Sequence, residues 1–253
     1  MDGTEVLLLA SMFFVVAVLY TTVGHAGASG YLASMGLLGV APDVMRPTAL
    51  VLNLVVGAFT TWRFGAARYF DARALLPFAL GSIPSAFAGG MVKLPAQHYH
   101  GLVGFVLLAS AAILVWRTWS PRLDAAERPL AIPFLPSIAI GAAIGFLSGI
   151  TGVGGGIYLS PIILLLGWAG PRMTAGLAAP FIMVNSLAGL AGGSVAAQQL
   201  PEALPWFVGS TLCGALAGTW LGTRRLSGRA LFATLAIVMV IAGAKLIARA
   251  AGP

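Results

Sequence analysis

Of 253 residues, 59% are hydrophobic and only 8% charged, against about a quarter in soluble domains. Such a chain cannot surround one core with a solvated surface, and it reads as an integral membrane protein. Its net charge of +7 would suit nucleic acid in a soluble protein. Here the arginines flank apolar runs, where they orient spans in a bilayer, so the expected partner is lipid and no nucleic acid.

All seven carboxylates, Asp2, Glu5, Asp43, Asp71, Asp124, Glu127 and Glu202, fall between apolar runs or at their ends. The lone Cys213 lies inside a run, which excludes an intramolecular disulfide and gives no metal pattern; no metal and no cofactor are expected. The N-terminus is acidic and lacks the basic region of a cleaved signal peptide, so the first run reads as a retained span.

A helix crossing ~30 Å of hydrocarbon needs about 20 apolar residues. Runs of that size occur, in chain order, near 5–22, 44–64, 74–92, 101–119, 132–150, 174–197, 203–222 and 230–248. Two shorter runs, near 30–40 and 157–168, would reach only about halfway at 1.5 Å per residue. Each follows a glycine cluster, which predicts two hairpins broken at membrane depth, tolerated where protein or a watery cavity surrounds the break. His98 and His100 are expected in a loop. The six tryptophans sit near span ends, as an interfacial aromatic belt requires.

The chain repeats itself. Leu76-Pro77-Phe78 with Gly81-Ser82 returns as Leu204-Pro205-Trp206 with Gly209-Ser210. Gly24-His25-Ala26-Gly27-Ala28-Ser29-Gly30-Tyr31-Leu32 returns as Gly152-Val153-Gly154-Gly155-Gly156-Ile157-Tyr158-Leu159. Asn53 with Gly57 returns as Asn185 with Gly189. A duplicated hydrophobic chain with glycine-broken segments is the pattern of a secondary transporter, whose site lies where the halves meet. The loop with Arg63, Arg68 and Arg73 is basic and its counterpart near Glu202 is not, whereas Lys93 is the one base of a loop whose counterpart holds Arg224, Arg225 and Arg229. Equivalent loops therefore belong on opposite sides. The expected fold is an all-α membrane bundle of two inverted repeats, each of about five helical segments, at 1–120 and 131–253, joined by a cytoplasmic linker at 121–130. Both termini are expected outside, and the broken hairpins meet near the midplane.

Gly24 to Ala33, Met45-Arg46-Pro47-Thr48-Ala49-Leu50 and Gly152 to Gly156 resemble the TauE/SafE family of membrane transporters over essentially the full length. The resemblance implies a small sulfur-containing anion as cargo, such as sulfite or a sulfonate, exported across the cytoplasmic membrane by alternating access. The first cluster departs from the family's run of glycines by placing Ala26, Ala28 and Ser29 among them. An anion or small-solute channel is the alternative, and a homo-oligomer is open. No enzyme is expected: the one nominal nucleophile and base pair, His25 with Ser29, has no orienting acid.

The candidate substrate residues are Gly24, His25, Gly27, Ser29, Tyr31, Arg46, Thr48, Asn53, Thr151, Gly152, Gly154, Gly155, Gly156, Tyr158 and Asn185. The glycines either expose N–H groups at a helix start, which attract anions, or serve tight turns. His25 either donates to an anion or steadies the break through a carbonyl. The two asparagines, costly inside apolar helices without a partner, contact either substrate or another helix. Arg46 is either an entrance cation or a snorkelling interfacial residue. Tyr31 and Tyr158 offer hydroxyls to the cavity or to neighbouring helices. Gly141-Gly145-Gly149 and Gly214-Gly218-Gly222, four apart, read as close helix packing.

Overall fold

The computed structural model describes residues 2–22, 24–66, 69–119, 131–195, 200–222 and 229–252. The linker at 121–130 and the bases Arg68, Arg122, Arg128, Arg224 and Arg225 lie outside them. The described residues form ten helices: α1 Gly3–Thr21, α2 Ala28–Leu38, α3 Pro42–Ala66, α4 Ala72–Met91, α5 Ala96–Trp119, α6 Phe134–Thr151, α7 Gly156–Leu165, α8 Pro171–Val195, α9 Leu204–Gly222 and α10 Arg229–Ala250. No strand occurs among them. Six helices, α1, α3, α4, α5, α6 and α8, are long and apolar enough over the described residues to cross a membrane. α9 and α10 fill the other two expected runs.

α5 begins earlier than its hydropathy suggests. His98 and His100 lie in its first turns, which corrects the expectation that they occupy a loop; a helix needs no apolar residues in a turn that projects past the hydrocarbon. α1 begins with a capping box, in which Glu5 N–H donates to Asp2 Oδ1 at 2.7 Å and Asp2 N–H to Glu5 Oε2 at 3.1 Å, satisfying two donors that a helix start leaves unpaired. The short helices start differently. Their N-caps, Gly27 and Gly155, have φ of +103° and +81°, the left-handed region that glycine adopts at little cost.

The polarity of the molecule is turned inside out. Leu7, Leu135 and Phe105 are 69%, 76% and 66% exposed, while His25, Arg46, Asn53, Ser148 and Asn185 are buried. An exterior this apolar is stable only against lipid.

Each half packs largely on the other. α1 lies on α9, α4 on α6 and α8, α3 on α8 and α9, α5 on α10 and α7, and α2 on α10. Exchanging α1–α5 for α6–α10 turns α1–α9 into α6–α4, α2–α10 into α7–α5 and α4–α8 into α9–α3, and leaves α3–α8 and α5–α10 as they were. The duplication therefore governs the packing. Small residues set the closest approaches: a Cβ on Gly145 would lie 2.6 Å from Ser82 Cα, and one on Gly214 would lie 2.8 Å from Ala17 Cβ. Gly141 and Gly149 similarly face Phe78 and Ala86, and Gly218 faces Val18, so these glycines pack helices. A cavity of about 760 Å³ lies at the end where α1 and α9 begin, lined by Glu5, Val6, Val40, Val44, Glu202 and Trp206 among others.

Candidate substrate site

Two antiparallel helices carry the asparagines to one place. Gly189 of α8 faces Leu50 of α3, and Gly57 of α3 faces Ala179 and Met183 of α8. Asn53, between Leu50 and Gly57, and Asn185, between Met183 and Gly189, are set in this crossing, and both are fully buried.

The second glycine break meets the same crossing. Asn53 Nδ2 donates to Gly152 O at 3.4 Å. A Cβ on Gly154 would fall 2.7 Å from Asn53 Nδ2 and 2.9 Å from Ile182, and a Cβ on Gly155 would fall 3.0 Å from Phe181 and 3.7 Å from Ser148 Cβ. Phe181 and Ile182 precede Asn185 by four and three residues, so all three share one face of α8. Gly152, Gly154 and Gly155 have φ of +87°, +80° and +81°. Three left-handed residues in four turn the chain sharply from α6 into α7, and the first N–H groups of α7, from Gly156 and Ile157, have no acceptor within the helix.

Around this break buried polar atoms lack partners. Among the described residues, Asn53 Oδ1, both polar atoms of Asn185 and the hydroxyl of Ser148 make no hydrogen bond, and Ser186 beside Asn185 likewise has an unpartnered hydroxyl, as does Thr48 elsewhere on α3. Each such group costs about 1–3 kcal/mol, so their concentration around one turn marks a place where a polar ligand would repay the fold. Ser148 and Ser186 were not singled out from the sequence; Ser148 carries one usable signal, its position one turn before a glycine break.

At the first break the polar groups satisfy one another instead. Gly24 and Gly27 take φ of +79° and +103°, but the Tyr20 and Ser29 hydroxyls lie 2.5 Å apart and Tyr31 Oη donates to Ala26 O at 2.8 Å. Phe13 packs edge-on against Tyr31 at 5.2 Å between centroids. His25 Nε2 lies 3.0 Å from Ser160 Oγ on α7, so the structure does not pair His25 with Ser29. The N-caps Gly27 and Gly155 are 128 positions apart, which makes Leu159 and not Tyr158 the counterpart of Tyr31; pairing the two tyrosines would slip the helices by one residue, about 100° of rotation. Tyr158 faces α5, 3.1 Å from Ser110 Oγ and donating to Val106 O at 3.3 Å.

Arg46 is 5% exposed. Its guanidinium donates to Val92 O at 2.8 Å and to Gly90 O, the carbonyls that end α4. Thr151 Oγ1 donates to Leu147 O and accepts from Val153 N–H, and Thr151 O accepts from Tyr99 Oη at 3.0 Å. Thr48 stands half a turn beyond Arg46 on α3. The structure thus gathers Asn53, Asn185, Gly152, Gly154, Gly155 and Gly156 at one place. Gly24, His25, Gly27, Ser29 and Tyr31 form the other break, and Arg46, Thr151 and Tyr158 bond to neighbouring helices.

Residues 9–246 match the family model described as sulfite exporter TauE/SafE. The chain belongs to the TauE/SafE family. It is 38% identical over 244 residues to a probable membrane transporter protein of Sinorhizobium fredii, y4hK, covering 96% of this chain and 99% of that protein. It is 28% identical over 241 residues to the probable membrane transporter YjnA of Bacillus subtilis, covering 88% and 92%. No solved structure matches. TauE/SafE membership, the lipid-facing exterior and the apolar helices make this a multi-pass membrane transporter.

Proposed function

We propose that this TauE/SafE protein is a secondary transporter that exports a small sulfur-containing anion, such as sulfite or a sulfonate, across the cytoplasmic membrane, with the break at Gly152–Gly156 as its substrate site. The observation that carries this reading is the set of unpartnered buried amide and hydroxyl groups around a half-helix N-terminus. Unsatisfied N–H donors and the positive end of a helix dipole attract anions, and broken helices at a repeat interface are where transporters place their substrates. The family model's description, sulfite exporter, supports sulfur chemistry at family level.

Alternating access would come from the two halves rocking about this site. Two features support inverted repeats. The equivalent helices α3 and α8 run antiparallel, and so do α5 and α10, where Gln97 meets Ala250 and Gly104 meets Ile247; a parallel repeat would align them. Arg63, Arg73 and Arg172 share the end at which α3 stops and α4 and α8 begin, which the positive-inside rule assigns to the cytoplasm, leaving both chain termini outside.

Uptake of radiolabelled sulfite and taurine into proteoliposomes tests the function. Saturable flux in the unaltered protein, with loss of it in folded Gly155→Val, is expected; normal transport by that variant would remove the break from the site. Unsaturating conductance would point to a channel. Cysteines placed at Arg73 and Glu202 in a Cys213→Ala background should label from opposite sides, and labelling from one side would sink the inverted topology.

A further inference from the structure

We infer that Ser148 is a direct ligand of the transported anion, and that the anion sits on the second break alone. This rests on the site proposed above. Ser148 precedes Gly152 by four residues, as Tyr20 precedes Gly24, so the two occupy the same register of α6 and α1 against the two breaks. Their chemistry differs. Tyr20 is buried, its hydroxyl satisfied by Ser29, and its ring joins the cluster of Phe13, Tyr31 and Leu32. Ser148 puts a much smaller side chain at the equivalent position and leaves its hydroxyl unpartnered.

Ser148 is one of several buried hydroxyls without a partner, and the one that faces the glycine break. Serines and threonines in these helices commonly donate to the carbonyl four residues earlier: Ser34 to Gly30, Thr60 to Val56, Ser137 to Pro133 and Thr151 to Leu147. Such a bond is one that a helical serine can make, and Ser148 does not make it. Its Cβ is 3.7 Å from where a Cβ on Gly155 would be, so it faces the first turn of α7. Across from it, Asn185 follows Phe181, which touches Gly155, and precedes Gly189, which touches Gly149 beside Ser148. Ser148 and Asn185 thus flank the first turn of α7, where the N–H groups of Gly156 and Ile157 start the helix.

All of these donors are neutral. Among the described residues the buried guanidinium nearby, that of Arg46, donates to Gly90 O and Val92 O. Recognition by neutral donors suits a compact oxyanion with several acceptor oxygens held in a site of low dielectric, where each hydrogen bond to a charged group is strong. It also spares release, since no salt bridge has to be broken.

The test is ligand-induced thermal stabilisation of the purified full chain in detergent, titrated with sulfite and with methanesulfonate, using gluconate to hold ionic strength. Without ligand, Ser148→Ala should melt at the same temperature as the parent or higher, because it deletes a buried hydroxyl that nothing satisfies. Its affinity for the anion should fall roughly ten- to hundredfold, the range for a lost hydrogen bond to a charged group. Ser82→Ala, which removes another unpartnered buried hydroxyl at the α4–α6 contact, should leave affinity unchanged. Tyr20→Phe should lower the melting temperature and leave affinity unchanged.

Normal affinity in Ser148→Ala alongside weakened Asn185→Ala and Gly155→Val would overturn the Ser148 assignment and keep the site. Normal affinity in all three would overturn the site itself. Weakening in Tyr20→Phe equal to that in Ser148→Ala would mean that both breaks share the anion. A Ser148→Ala protein that melts lower without ligand would show the hydroxyl bonded within the fold, against the inference.

Discussion

At the scale of single residues, Arg46 separates what a cation at a helix start suggests from what its surroundings make of it. α4 ends at Met91, and its last carbonyls have no partners within the helix. Arg46 reaches them from α3, so its charge meets the negative end of a helix dipole. Removing it leaves Gly90 O buried without this partner, at about 1–3 kcal/mol, and deprives the half-buried Val92 O of its donor. Arg46→Ala should therefore lower the melting temperature by roughly 5 °C and change the half-saturating sulfite concentration by no more than about twofold. A large loss of affinity with unchanged melting would make Arg46 a substrate cation. The two asparagines were legible as paired polar groups inside apolar helices. Ser148 was not, because a serine in a helix can satisfy itself on the preceding turn, and only the packing reveals that this one does not and that it faces the glycine break.

At the scale of elements, the ten segments and the two short helices follow from run length and glycine clusters. Their partners do not. Hydropathy says that α4 is apolar; it does not say that α4 packs on α6 of the other half, with Gly145 on Ser82 and Gly149 on Ala86. The four-residue glycine spacing was readable as a close approach, yet which helix approaches depends on contacts distant in sequence. Gly209 offers the contrast, since nothing lies within 4 Å of a Cβ placed there. Gly145→Ala should cost about 1–3 kcal/mol through overpacking, whereas Gly209→Ala should be neutral or slightly stabilising, because alanine favours helix. Thermal unfolding of the two variants checks this, and equal melting temperatures would remove the glycine stripe as the determinant of the α4–α6 contact. The mispaired tyrosines show the same limit. Sequence likeness aligned Tyr31 with Tyr158, but helix register is fixed by the N-caps.

At the scale of the whole molecule, the distribution of charge bears on what drives transport. Glu5 and Asp43 lie in the first turns of α1 and α3, and no described helix carries an acid deeper than its first turn. Intramembrane carboxylates are frequent members of proton relays; this bundle offers His25, held at 3.0 Å to Ser160, and neutral donors at the proposed site. An anion leaving through such a site moves net negative charge outward, which an inside-negative potential favours. At about 2.3 kcal/mol per charge per 100 mV, a dianion gains ~4.6 kcal/mol, roughly three orders of magnitude in concentration ratio. We predict that export is driven by the anion's own gradient and the membrane potential. In proteoliposomes at clamped pH, a potassium diffusion potential should accelerate sulfite efflux when the interior is negative and retard it when positive. Flux that ignores the potential and follows a proton gradient would replace this with electroneutral anion–proton symport, and loss of that dependence in His25→Ala would then place the proton on the His25–Ser160 link between the two breaks.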